Sequence, residues 1–141
     1  MKKFVWEDKY SLGIASVDEQ HKTFFEILNE VAELTKHPND PDLRSGLVIA
    51  LVKFGNYAFY HLSYEEEYFI KFAYKDREDH ETAHEIYRGK ITEYLKRIKN
   101  ADTDLVNLAE ETAQFGQDWL KFHILDMDKK YVDLFLQHDM H

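Results

Sequence analysis

Residues 80–84 read HETAH. On a helix, His80 and His84 project from one face, one turn apart. Two imidazoles so placed can share a metal ion, cap a core, or sit in water. Other polar residues recur at related spacings: His61 and Glu65 are four apart, His21 closes DEQH, and His123 opens HILDMD with Asp126 and Asp128. Imidazole and carboxylate are the donor types that transition-metal sites use. One isolated pair says little, so the chemistry depends on what brings these residues together.

The elements that must position them are helices. Breakers cluster at KHPNDPD (36–42), YKDRED (74–79) and KNADTD (99–104), and apolar residues at helical spacing fill the intervals. The first helix is expected from about residue 17 to 36, with Ser16 and Glu19 spaced as a capping box. The second is expected to start with Asp40 as N-cap and Pro41 at its first position, and to run to about 72. The third begins after Asp76; the fourth begins near Asp104 and ends in the 130s. Residues 1–15 have no periodicity, and this arm, with Phe4, Trp6 and Ile14, is expected to pack on the outside. Short loops predict an all-α, up-down-up-down antiparallel four-helix bundle, with residues 1–141 as one domain.

In that topology, starts of odd helices and ends of even helices share one end. His21, His61, Glu65, His80, His84 and His123 then converge on one level of the core. Unsatisfied, such a set would be very costly to bury. A metal supplies what it lacks, since each ring offers one lone pair and turns its other N–H outward. His37, His138 and His141 lie in a loop and a tail, while Glu66 and Glu67 turn progressively from the His61 face and are expected in solvent. The cluster needs a second carboxylate. On an ideal helix Asp126 is nearer the His123 face, whereas Asp128 is about 140° round.

DEQHK (18–22), HLSYEEE (61–67), HETAH (80–84) and WLKFHILDMDKKY (119–131) resemble the signature of the hemerythrins, in their single-domain prokaryotic form. The likeness runs from Trp6 to Tyr131; Leu62 departs from it, standing where relatives commonly have phenylalanine. The resemblance implies a non-haem di-iron site with an oxo or hydroxo bridge. One iron would be held by His80, His84 and His123 and the other by His21 and His61, with Glu65 and Asp128 bridging. It thus prefers Asp128 where ideal geometry prefers Asp126. For Asp128 to reach the site, helix four must leave α geometry between 123 and 128, as a π-bulge would make it do. The resemblance further implies reversible dioxygen binding, with oxygen held as hydroperoxide on the five-coordinate iron. Trp119 and Leu120 match positions that line or support the oxygen site in hemerythrins, and plain core packing accounts for them equally well.

Composition narrows the alternatives. The net charge of −9 argues against a nucleic-acid footprint, and the lack of cysteine excludes disulfides, thiolate sites and iron–sulfur clusters. No run approaches a membrane span or a signal peptide, so a cytoplasmic protein is expected. Seven ligands are too many for one structural zinc. Ferritin-like sites use two Glu-x-x-His pairs, and this chain has one, Glu81 to His84. The function expected is oxygen storage or delivery, not enzymatic. Oxygen or redox sensing, and peroxidase or nitric oxide handling at the same centre, are the alternatives. The chain ends about ten residues after DKKY, which favours a stand-alone carrier.

Overall fold

A computed structural model describes residues 3–141. Met1 and Lys2, the first residues of the arm, lie outside the described part. Four long helices carry the architecture: α1 (Ala15–Leu34), α2 (Leu43–Lys71), α3 (Arg77–Arg97) and α4 (Leu105–Phe122). After α4 come a π-helical turn (His123–Met127), a 3-10 turn (Asp128–Tyr131) and the short helix α5 (Val132–Gln137). Helix α1 packs on α2 and α4, and α2 packs on α3. The directions follow from the core. One apolar cluster joins Val31 and Ala32, late in α1, to Leu47 and Leu51, early in α2. The same cluster takes Tyr94 and Ile98 from the end of α3 and Leu108 from the start of α4. The helices therefore alternate in direction, as an up-down-up-down bundle requires.

Helix ends differ from the expected caps in two places. The Ser16–Glu19 capping box does not form, because α1 already begins at Ala15. The Ser16 hydroxyl instead accepts a hydrogen bond from Tyr64 Oη (2.9 Å). Helix α2 starts at Leu43, beyond Asp40 and Pro41; Asp40 Oδ1 accepts from the Asp42 N–H (2.9 Å), closing a turn ahead of the helix. Asp104 does cap α4, accepting from the Asn107 N–H.

The arm is not an outer wrapping. Phe4, Tyr10, Leu12 and Ile14 are buried in the same cluster as Phe24, Leu28 and Phe69. Phe4 stacks on Phe25 with ring centroids 3.6 Å apart. Asn29 clamps the Phe4 backbone, accepting its N–H (2.7 Å) and donating to its carbonyl (2.8 Å). The arm also contains a 3-10 turn, Asp8–Tyr10. Gly13 then takes φ +74°, a left-handed conformation that suits glycine, and turns the chain into α1. Asp18 fixes that corner by accepting from the Leu12 N–H (2.8 Å) and the Ser11 hydroxyl (2.7 Å).

No helix among the described residues is long and apolar enough to cross a membrane.

A candidate metal centre at one end of the bundle

Each long helix delivers its polar residues to the level opposite the apolar cluster. His21 comes from the second turn of α1, His61 and Glu65 from the later half of α2, and His80 and His84 from the start of α3. His123 follows the last turn of α4. All six are buried, as is Asp128.

Asp128 reaches this level because the helix changes pitch. Its backbone N–H donates to the carbonyl of His123, five residues back, and to that of Ile124. Such an i→i+5 turn holds one residue more than an α-turn, so a spacing of five returns to the same face. Ile124 is buried, while Asp126 is exposed and points to solvent. The conflict between ideal geometry and the motif is thus settled locally: Asp128 faces the cluster and Asp126 does not.

The donor atoms form two overlapping sets. One holds Glu65, His80, His84 and His123, the other His21, His61, Glu65 and Asp128; within each set the ligand atoms lie within 4.8 Å of one another. Asp128 spans both. Its Oδ1 lies 3.0 Å from Nε2 of both His80 and His123, and its Oδ2 lies 3.1 Å from His21 Nε2. Glu65 Oε1 sits between His61 Nε2 (3.3 Å) and His84 Nε2 (3.4 Å). The Nε2 atoms of His80 and His123 are 2.9 Å apart, so neighbouring lone pairs point into one small volume.

Hydrogen bonding does not absorb this set. His21 Nε2, Glu65 Oε1 and both oxygens of Asp128 are buried without a hydrogen-bond partner. Orphaned polar atoms at this density are costly inside a protein. Cations placed among them would satisfy every one, and imidazole nitrogen with carboxylate oxygen is a donor set suited to iron. The residues present fit a pair of metal ions.

The electrostatics show how tightly the groups are coupled. Burial raises the Glu65 carboxyl and so does the Asp128 charge, but the imidazoles of His61 and His84 outweigh both and hold it well below the usual carboxylate range. Asp128 is likewise raised by burial and pulled well below its usual value by His123, His21 and His80. Burial lowers His61. Burial also acts to lower His84, but hydrogen bonds to Glu65 and Glu66 prevail and push it up to about 9.

Around the donors stands a shell that sequence reasoning missed or placed elsewhere. Tyr131 Oη donates to Glu65 Oε2 (2.5 Å). Burial, then the neighbouring carboxylates, keeps that phenol protonated far above its usual range. Gln20 Oε1 accepts from His61 Nδ1 (2.6 Å). Glu66, expected in solvent, is half-buried and accepts from His84 Nδ1 (2.7 Å). Glu67 is exposed as expected. Phe24 stands edge-on to His61 (5.3 Å) and Phe69 packs on His80 (4.6 Å). The one sequence hint for Glu66 is Arg88, one turn after His84 on α3 and able to reach the same carboxylate. Nothing in the spacing links Gln20 to His61 across two helices.

Trp119 lies flat on His123, with centroids 4.2 Å apart and planes at 12°, and on its other side stacks on Tyr87. Leu120 is buried in the cluster that holds Phe24, Leu28 and Phe54. His37 and His138 are exposed and belong to neither donor set; His37 faces Glu33, and His138 stacks on Phe72.

Residues 12–135 match the model of the hemerythrin HHE cation binding domain. The chain is 34% identical over 130 residues to a bacteriohemerythrin of Clostridium acetobutylicum, spanning 92% of this chain and 99% of that one. It is 25% identical over 134 residues to a bacteriohemerythrin of Stenotrophomonas maltophilia, spanning 94% and 82%. In fold it is similar to a solved structure of a hemerythrin point mutant, with TM-score 0.82 and 24% identity over 95% of this chain and 98% of that one.

Proposed function

Because the chain belongs to the hemerythrin family, we propose that it is an oxygen carrier that binds dioxygen reversibly at a pair of iron ions. The observation that carries this reading is the pair of buried donor sets that share Glu65, with Asp128 reaching histidines of both and its oxygens unpartnered. In this assignment His80, His84 and His123 would hold one ion and His21 and His61 the other, with Glu65 and Asp128 reaching both. Bound there, two ferrous ions with their oxo or hydroxo group would supply the two electrons that reversible oxygen binding draws on.

The chain's own residues do the rest. Two carboxylates place two negative charges between the cations, where a low-dielectric core strengthens the attraction. The three-histidine side has one more imidazole than the two-histidine side, so the His21 and His61 side would be the one to leave room for dioxygen. Tyr131 holds Glu65 in place by donating to the oxygen that faces away from the histidines. Leu120 and Phe24 keep water from the pocket; both are buried in the surrounding apolar cluster. Trp119 fixes the plane of His123 by stacking on it, a supporting part in the oxygen site. The protein acts as a binder rather than an enzyme, in the cytoplasm, with dioxygen as its small-molecule partner.

The test is metal analysis followed by anaerobic reduction and stopped-flow mixing with oxygen. Two irons per chain, a fast spectral change with oxygen and its reversal under vacuum are expected. Steady turnover with peroxide or nitric oxide would instead make it an enzyme. An oxygen-linked structural change with no reversible uptake would make it a sensor. One zinc and negligible iron would overturn the di-iron assignment itself.

A further inference from the structure

Hydrogen bonds to the outward ring nitrogens of the clustered histidines are found for two of them, and the two acceptors differ in charge. His61 Nδ1 donates to the neutral amide oxygen of Gln20 (2.6 Å). His84 Nδ1 donates to the carboxylate of Glu66 (2.7 Å). Glu66 is itself gripped by a fork: Arg88 Nη2 donates to its Oε1 (2.8 Å) and Nη1 to its Oε2 (2.9 Å). The guanidinium is anchored in turn, by Glu85 Oε1 (2.6 Å), by Ser63 Oγ (3.4 Å) and over the Phe59 ring (5.7 Å). Both partners in the fork are largely covered, with 11% of the Arg88 side chain and 19% of the Glu66 side chain exposed.

We infer that Glu66, locked by Arg88, is the positioning residue that orients His84 and sets the metal affinity of the three-histidine half of the centre. The inference rests on the metal-centre reading above. A ring whose Nδ1–H is committed to Glu66 must turn its Nε2 lone pair into the pocket, where Glu65 Oε1 and His123 Nε2 lie at 3.4 and 3.2 Å. An anionic acceptor also makes the imidazole a stronger donor than an amide acceptor does, and partners of this kind typically change metal affinity 10- to 100-fold. Arg88 completes the device. By holding both carboxylate oxygens in a bidentate pair it keeps Glu66 ionised and in one orientation, and it stops the glutamate from swinging into the pocket as a ligand. An ordinary surface ion pair explains neither the short bond to a fully buried ring nor the three-point anchoring of the arginine. The two halves are therefore unequal beyond their ligand count: the three-histidine half is backed by a charge, the two-histidine half by a dipole.

Titration of the metal-free full-length protein with Co2+ alone, followed by its visible absorption, tests this without oxygen chemistry. Wild type should take up two equivalents. Glu66→Leu should weaken one of them by about 10- to 100-fold and leave the other unchanged. Glu66→Gln should fall between wild type and Glu66→Leu, with a severalfold loss in the same equivalent, since its amide oxygen can still accept as Gln20 does for His61 but carries no charge. Gln20→Leu should weaken the other equivalent. Should Glu66→Leu not fold, Arg88→Met reads the same role, as a severalfold loss confined to the Glu66-sensitive equivalent. Unchanged affinity in whichever of these two variants folds, or equal weakening of both equivalents, would overturn the positioning role. A wild-type protein that takes up no cobalt would overturn the metal-centre reading and the inference with it.

Discussion

The two ends of the bundle are built on the same helical spacing and differ in what occupies the inward positions. At one end Val31, Leu47, Leu51, Tyr94, Ile98 and Leu108 meet as a buried cluster. At the other, His21, His61, Glu65, His80, His84 and His123 meet at the same depth. The first end is satisfied by packing, apart from the hydroxyls of Tyr94 and Thr112; the second leaves imidazole nitrogen and carboxylate oxygen without partners. Periodicity decides that residues meet, and residue type decides whether the meeting is complete without a further group. The apolar end stabilises the fold by removing surface from water, whereas the polar end contributes when a ligand fills it, because metal binding energy is then folding energy.

The largest expected effect follows from that difference. His61→Ala, or chelation of the wild type, should abolish the metal pair and its optical spectrum. For a metal present at about a thousand times its dissociation constant, unfolding stability should fall by about 4 kcal/mol, measured by thermal or denaturant unfolding with and without chelator. An equal loss on chelating a variant that already lacks the metal would break the comparison. A matched pair of cavities sharpens it next. Leu47→Ala and Leu120→Ala each remove a buried leucine, at opposite ends, and each should lower stability by about 2–5 kcal/mol. On the proposed oxygen-binding function, only Leu120→Ala should speed autoxidation of the oxygenated protein. Equal autoxidation rates would reduce Leu120 to core packing.

Gly116 stands between the two ends and sets how closely α4 approaches its neighbours. A Cβ there would fall 2.4 Å from Leu28 Cδ2 and 3.4 Å from Phe54 Cζ. Gly116→Ala should lower stability by about 1–3 kcal/mol through overpacking, with iron content unchanged; a stabilised variant would show that the leucine gives way freely. The smallest effect is expected at Asp126. As an exposed residue of the π-helical turn, Asp126→Asn should stay within about 0.5 kcal/mol of wild type and keep the spectrum. Asp128→Asn should lose it. A spectrum that follows Asp126 instead would invalidate the geometry of that turn.

Much of this molecule is legible in one dimension. Helical spacing with breakers at 36–42, 74–79 and 99–104 is a local signal, and it locates α1 to α3 and the start of α4 within a few residues. It runs the fourth helix on into the 130s, where the structure ends α4 at Phe122 and continues through the π-helical and 3-10 turns into α5. Alternation of direction then follows from short loops, and with it the level at which the histidines meet. Local signals also misled where they competed with tertiary contacts. Ser16 and Glu19 form a good capping box on paper, yet the arm's Asp18 corner starts the helix earlier and Tyr64 takes the serine. Pro41 suits a helix start, yet Asp40 closes a turn first. An aperiodic arm looks peripheral, but Phe4, Tyr10 and Ile14 fill a space that only the assembled helices define.

By itself, then, the sequence determined the helices, their alternation, and the meeting of five histidines and a glutamate, because these depend on spacing along one chain. Its motif also named Asp128, although ideal helical geometry pointed to Asp126. Only the tertiary structure decided how Asp128 gets there, through an i→i+5 turn that displaces it from the regular helical register. Only the tertiary structure paired His61 with Gln20 and His84 with Glu66, and set Tyr131 on Glu65. Those partners lie 41, 18 and 66 residues apart in the chain. A hydrogen bond depends on tenths of an ångström between side chains of different helices, and no periodicity along the chain encodes a distance across it.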